Sequence, residues 1–221
     1  MTGVLALVGG GEWTEGCDFD ATLLEESGAS EVVVLPTGSA YERPERLGEQ
    51  ATAWFRELGV PARPVPVLTR RDAFDEHHVD VVGQARFVYL AGASAMHLRA
   101  VLKDTPVLDA LLSAWRSGGV LAGTSAGADV LCDPMVDSRG GAFTVGLGIV
   151  SRMAVIPRAD EWSHDKVRRT VELAPAGVTL AAVPRRTALL RDGDGRWRAE
   201  GAGEVQVFVG GEPAELSDLP S

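Results

Sequence analysis

Cysteine and histidine are scarce in this chain: two cysteines, Cys17 and Cys132, and four histidines in 221 residues. With no Cys-x-x-Cys spacing and no histidine beside either cysteine, neither a disulfide framework nor a metal site is indicated, and no cofactor is expected. Positive charge is also in deficit, the formal net charge being −10. That excludes the electrostatic footprint of a general nucleic-acid or anionic-membrane binder and leaves small peptides or carboxylate-bearing small molecules as expected partners. Long hydrophobic runs are missing too. The apolar opening Met1 to Val8 meets Gly9-Gly10-Gly11 without a basic leader, too short for a membrane span or signal peptide. It reads as a first buried strand, with the cytoplasm as the expected location. No stretch is rich enough in Pro, Ser or charge to act as a linker and no repeat is visible, so residues 1–221 are read as one domain.

What is present is an alternation. Apolar runs at Val4 to Val8, Glu31 to Leu35, Arg63 to Val67, Arg86 to Leu90 and Gly119 to Ala122 each end in Gly, Pro, Ser or Thr. Between them, Pro44 to Leu58 sets Leu47, Ala51, Trp54, Phe55 and Leu58 on one helical face and stops at Gly59, and further helices are predicted over Ala95 to Lys103 and Val107 to Ser117. This rhythm predicts an α/β, flavodoxin-like three-layer sandwich with a mostly parallel central sheet and ligands beyond the carboxyl ends of its strands. Past Asp133 the pattern changes. A glycine-rich loop to Gly148 precedes a strand at Met153 to Ile156 and a helix at Asp165 to Leu173. A C-terminal antiparallel β extension follows at Thr179 to Val183, Thr187 to Arg191, Arg196 to Ala199 and Val205 to Val209. Asp192-Gly193-Asp194-Gly195 is expected to turn a hairpin.

The most informative motif is Gly123-Thr124-Ser125-Ala126-Gly127, between an apolar strand and a helix-compatible run. Small residues on both sides permit a nucleophile elbow that lifts the Ser125 hydroxyl to the sheet edge. Acyl transfer also needs a base, a group to orient it, and donors for the oxyanion. Oxyanion candidates are the N–H of Ala126 and the turn at Gly92 and Ala93; Gly10 and Gly11, ending the first strand, are expected to line the same edge. A phosphate cradle is disfavoured, because neither a P-loop nor a dinucleotide spacing follows. Of the histidines, His77 and His78 read as an acidic loop; His164, flanked by Asp160, Glu161 and Asp165, is the best base, His97, in a helix close to the Gly92 turn, the second candidate, and Asp137 the acid.

Gly9-Gly10-Gly11-Glu12, Leu35-Pro36-Thr37-Gly38-Ser39, Tyr89-Leu90-Ala91-Gly92-Ala93, Ala122-Gly123-Thr124-Ser125-Ala126-Gly127-Ala128 and Gly146-Leu147-Gly148 together resemble the peptidase E and cyanophycinase family of serine peptidases. The resemblance implies the fold of class I glutamine amidotransferase domains, Ser125 as nucleophile, and hydrolysis of peptide bonds involving aspartate. It also marks departures: the family's histidine position after Ile156-Pro157 holds Arg158, a family acid position holds Arg185, and the second glycine of the Gly-Gly turn is Ala93.

Arginine cannot act as a general base near neutral pH. Three readings follow: a peptidase acting on small aspartyl peptides with His164 as base; a catalytically degenerate pseudoenzyme that binds a peptide or carboxylate through a clamp of Arg158 and Arg185; and an α/β-hydrolase esterase using Ser125, Asp137 and His164. A homodimer is compatible with the apolar helix faces.

Overall fold

The computed structural model describes residues 2–139 and 141–220. In its first half, strands β1 (Leu5–Val8), β2 (Val32–Gly38), β3 (Ala62–Pro64), β4 (Phe87–Gly92) and β5 (Val120–Thr124) alternate with helices α1 (Phe19–Ser27), α2 (Pro44–Glu57), α3 (Glu76–Gln84), α4 (Ala95–Leu102) and α5 (Pro106–Arg116). The five strands are parallel neighbours in the order β1-β5-β4-β2-β3. Both faces of this sheet are buried, which is why the strands read as continuous apolar runs. Along β1, Leu5 and Leu7 face one core with α3, α4 and α5, whereas Ala6 and Val8 face the other with Phe19 and Leu23 of α1 and Ala51 and Phe55 of α2.

Helix ends follow local chemistry. Pro44 and Pro106 occupy first-turn positions, and Asp75, Ser94 and Thr105 accept backbone N–H groups at the starts of α3, α4 and α5. His77 and His78 therefore belong to a helix, not to the expected loop: Asp75 takes both of their N–H groups and starts α3. The strand expected over Arg63 to Val67 is likewise only Ala62–Pro64, since prolines at 64 and 66 cannot donate to a ladder.

After α6 (Ala126–Leu131) the chain builds a second sheet, several of whose strands were expected but not their separation from the first sheet. Short strands β6 (Cys132–Asp133), β7 (Met135–Asp137) and β8 (Ala142–Thr144) occupy what looked like a glycine-rich loop, and β9 (Val150–Ser151) follows it. Then come β10 (Met153–Pro157), α7 (His164–Glu172), β11 (Thr179–Val183), β12 (Thr187–Arg191), β13 (Trp197–Gly201), β14 (Gln206–Val209) and β15 (Glu212–Ala214). The β12–β13 hairpin, turned by Asp192 to Gly195 as expected, adds antiparallel strands to the free edge of β1. β7 and β8 pair with each other, and the other late strands assemble as β15-β14-β11-β10-β6-β9, with β10 and β11 parallel. Met153, Val155, Ala181 and Val183 turn toward the core shared with α6, while Ala154, Ile156, Leu180 and Ala182 form a smaller core with Val171 of α7. The second sheet is thus pressed against the helix that follows Ser125. Among the described residues no helix is long and apolar enough to cross a membrane.

Asp20 of α1 lies fully buried against the first sheet, accepting the indole N–H of Trp54 at 2.9 Å and the hydroxyl of Tyr89 at 3.3 Å. Loss of hydration pushes its carboxyl up to about 8, against the pull of those two bonds. The native state keeps a proton that the unfolded chain gives up near pH 4, so Asp20 makes stability fall as pH rises from about 4 to about 8, by at most about 1.4 kcal/mol per unit. Asp20→Asn is expected to flatten the decline in Tm between pH 5 and 8; a variant whose Tm declines as steeply as the parent's would show that the slope arises elsewhere.

Candidate active site

The end of β5 is built for close backbone approach. A Cβ on Gly123 would fall 2.4 Å from the carbonyl oxygen of Gly127, and one on Gly127 would fall 2.2 Å from that of Leu90. Only glycine lets α6 start so near β5 and β4. Ser125 takes up the sharp turn at φ 52° and ψ −113°, a conformation rare for a residue with a side chain. Its N–H donates to Val8 at 2.9 Å, and its carbonyl accepts from Ala128 and Asp129, both at 3.1 Å. The hydroxyl group is held at the strand's carboxyl end, beside the start of α6. Thr124, directly before it, donates its hydroxyl to Glu12 at 2.9 Å, which ties the elbow to the glycine run after β1.

Ser125 opens into a cavity of about 460 Å³. Ala93 to Met96 form one wall and Met135 to Arg139 another, while Pro157, Arg158, Glu161 and Trp162 close the side toward the second sheet; Ala126, Asp129 and Thr144 complete it. Ser125, Ala126, Ala93, Asp137 and Arg158 are therefore brought together. Among the described residues no histidine lines this cavity.

His164 is exposed at the first position of α7 and faces a different cleft, of about 740 Å³, beyond Trp162. The expected triad of Ser125, His164 and Asp137 does not assemble, because Ser163 caps α7 and begins it on the far side of that indole. The esterase reading, which needs the same three residues, loses its geometry with it. His97 is turned away as well, its Nε2 lying 2.8 Å from the Leu68 carbonyl oxygen. Asp137 pairs instead with Arg139, at 2.9 and 3.0 Å, and those hydrogen bonds hold its carboxyl below the usual range.

The arginine clamp is also corrected. Arg185 lies outside the cavity, its guanidinium 2.9 Å from both Asp160 and Glu161, while Arg158 reaches Glu161 at 3.3 Å. Each arginine already has an acid, so Arg185 offers no free charge. Gly10 and Gly11 do not line the cavity either. A Cβ on Gly10 would press on Arg158 at 3.0 Å and one on Gly11 on Arg185 at 3.2 Å, so these glycines make room for the arginine stems.

At the Gly92-Ala93 turn the left-handed conformation falls on Gly92 (φ 125°), so Ala93 is not strained. The Ala93 N–H, however, donates to Gly38 at 3.1 Å, which removes it as an expected oxyanion donor. Gly92 lies behind it, backbone against backbone with Gly38. Ala126 starts α6, where an N–H has no acceptor within the helix.

One side chain went unnoticed in the sequence. Asp129 lies one turn past Ser125, only 3% exposed, and accepts the Val136 N–H at 2.7 Å. Burial pushes its carboxyl up to about 8, with Asp137 adding to the effect. The sequence carries only part of the signal, a single charged residue in the otherwise apolar Ala126–Leu131; the burial of that whole segment is seen only in the fold.

The sequence model of Peptidase family S51 matches residues 5–195. The chain belongs to that family. Cyanophycinase of Synechococcus elongatus is 28% identical over 235 aligned residues, 97% of this chain and 69% of the relative. Cyanophycinase of Nostoc sp. is also 28% identical, over 98% of this chain and 75% of its own length. The crystal structure of a peptidase from an acI-B1 Actinobacterium superposes with a TM-score of 0.84 at 28% identity, covering 97% of each chain. The crystal structure of a peptidase E protein from Listeria monocytogenes shares the fold, at a TM-score of 0.70 and 15% identity over 92% of this chain and all of that one. The recognised motifs thus belong to a mostly parallel α/β sheet of the S51 kind.

Gly127→Ala is expected to destabilise the fold by about 1–3 kcal/mol or more, because the added methyl must displace the backbone of β4. Chemical denaturation measures it, and a variant within about 0.5 kcal/mol of the parent would mean that the elbow is looser than its contacts imply.

Proposed function

We propose that this S51 member is a serine-type hydrolase acting on small aspartyl peptides. The observation that carries the reading is Ser125 at positive φ on the strand-to-helix turn, opening into a peptide-sized cavity. In this reading Ser125 Oγ attacks the scissile carbonyl and the Ala126 N–H receives the developing oxyanion. Arg139 and Arg158 sit in the walls where a substrate carboxylate would meet them, in exchange for their present partners Asp137 and Glu161.

Arg158 at the family's histidine position supports a second reading, binding without turnover. Loss of the histidine of a serine-protease triad lowers turnover on the order of a million-fold, and no other histidine borders this cavity. A degenerate member would keep the pocket and recognise a peptide or carboxylate there.

Intact-mass analysis after treatment with a fluorophosphonate separates the two without knowledge of the substrate. Stoichiometric labelling of the parent and none of Ser125→Ala is expected. A well-folded parent that stays unlabelled at every pH tried would leave the binding reading in its place. Hydrolysis of a panel of aspartyl dipeptides, followed by release of the free amine, then tests the substrate class.

A further inference from the structure

An activated serine needs a proton acceptor, and the cavity wall restricts the choice. Arg139 and Arg158 cannot take a proton. Asp137 is held ionised and weakly basic by Arg139, and Glu161 is engaged by Arg158 and Arg185. Asp129 is the carboxyl of the cavity that has no cationic partner among the described residues. It stands one helical turn beyond Ser125, with its own N–H bonded to the Ser125 carbonyl at 3.1 Å, so elbow and carboxyl move as a unit.

We propose that Asp129 is the general base and acid for Ser125, in place of the histidine that Arg158 displaces. This rests on the reading of Ser125 as the nucleophile. As the Ser125 Oγ–C bond forms, the hydroxyl proton passes to the Asp129 carboxylate, directly or through one water, and the carbonyl becomes an oxyanion. Collapse breaks the C–N bond, and the amine leaves with the proton now on Asp129. Water then attacks the acyl group, gives its proton to Asp129, and the proton returns to Ser125 as the acid departs.

The environment suits that cycle. An ordinary carboxylate is a poor base for a hydroxyl, but burial raises this one to about 8, near the optimum for proton exchange at physiological pH. The Val136 N–H occupies Oδ1, and among the described residues Oδ2 of this cavity-lining carboxyl has no hydrogen-bond partner. Other groups around Asp129 are set in charge: Cys132 has its thiol pushed well up by burial and stays neutral, Asp137 pairs with Arg139, and Glu161 with Arg158.

The test is the rate of fluorophosphonate inactivation from pH 5.5 to 9.5 for the parent, Asp129→Asn, Arg158→His and the double variant. The parent rate is expected to climb about 10-fold per pH unit and level off near 8. Asp129→Asn, which keeps an oxygen for Val136, is expected to lose at least about 100-fold at pH 8 together with the slope. With histidine restored at position 158, the same substitution is expected to matter less than about 3-fold. Labelling of Asp129→Asn at the parent's rate and pH profile overturns the proposal while leaving Ser125 as nucleophile. A parent that never labels overturns both. Should Asp129→Asn fail to fold, the parent profile decides, because a rate already level below pH 6 excludes a base of this kind.

Discussion

Everything around the site depends on one steric constraint, the contact between β5, α6 and β4 that leaves no space for a Cβ at Gly123 or Gly127. Because the first turn of α6 lies so close to the strand, the chain reverses within a single residue, and Ser125 absorbs the strain in its own dihedrals. The same proximity buries α6 completely and gives the second sheet a surface to pack on. Cavity, elbow and second sheet are consequences of that close approach. Its energetic support comes from the two apolar cores, which fix β1 and β5 in register so that Val8 accepts the Ser125 N–H.

Electrostatics then decide what the elbow can do. Arg158, Arg185, Asp160 and Glu161 form a compact set in which two cations meet two anions, and its members are roughly a third to a half exposed. Exposed pairs of this sort add little stability, so their effect is positional: they hold Trp162 and the turn after β10 as a wall between the Ser125 cavity and the cleft of His164. Arg158 therefore shapes the wall of the site as well as carrying charge. The long guanidinium stem needs the space left at Gly10, and its partner Glu161 brings an acid into the wall.

Much of this was legible in the sequence and some was not, for identifiable reasons. The parallel core declared itself because strands buried on both faces are continuous apolar runs, and α2, α4, α5 and α7 fell within a residue or two of their expected bounds because Pro, Ser, Thr and Gly punctuate them. Helices α1 and α3 escaped notice. Their apolar stripes are short, and the cap at Asp75 was hidden in a run of acids and histidines. Of the second sheet, β10, β11 and β14 were expected as strands, but their separate sheet was not, because β6 and β9, at its other edge, have only two residues each and pair across long separations. At the site, the nucleophile turn was visible in five residues. The base was sought by residue type, His164, when the relevant property was burial, which a side chain acquires only from neighbours such as Val136 brought in by the fold.

Asp129 also explains why a carboxyl would survive in an otherwise apolar helix. Burying it raises its proton affinity and opposes folding as the pH rises, so on stability alone an apolar side chain would serve α6 better. Its single strong bond to Val136 returns part of that loss and ties β7, the strand carrying Asp137, to the nucleophile helix. An inert packing position would not need a group whose proton affinity has been raised until it can exchange a proton near neutral pH. A residue that costs stability, faces the cavity and sits one turn from a strained serine has the properties expected of a group kept for its chemistry.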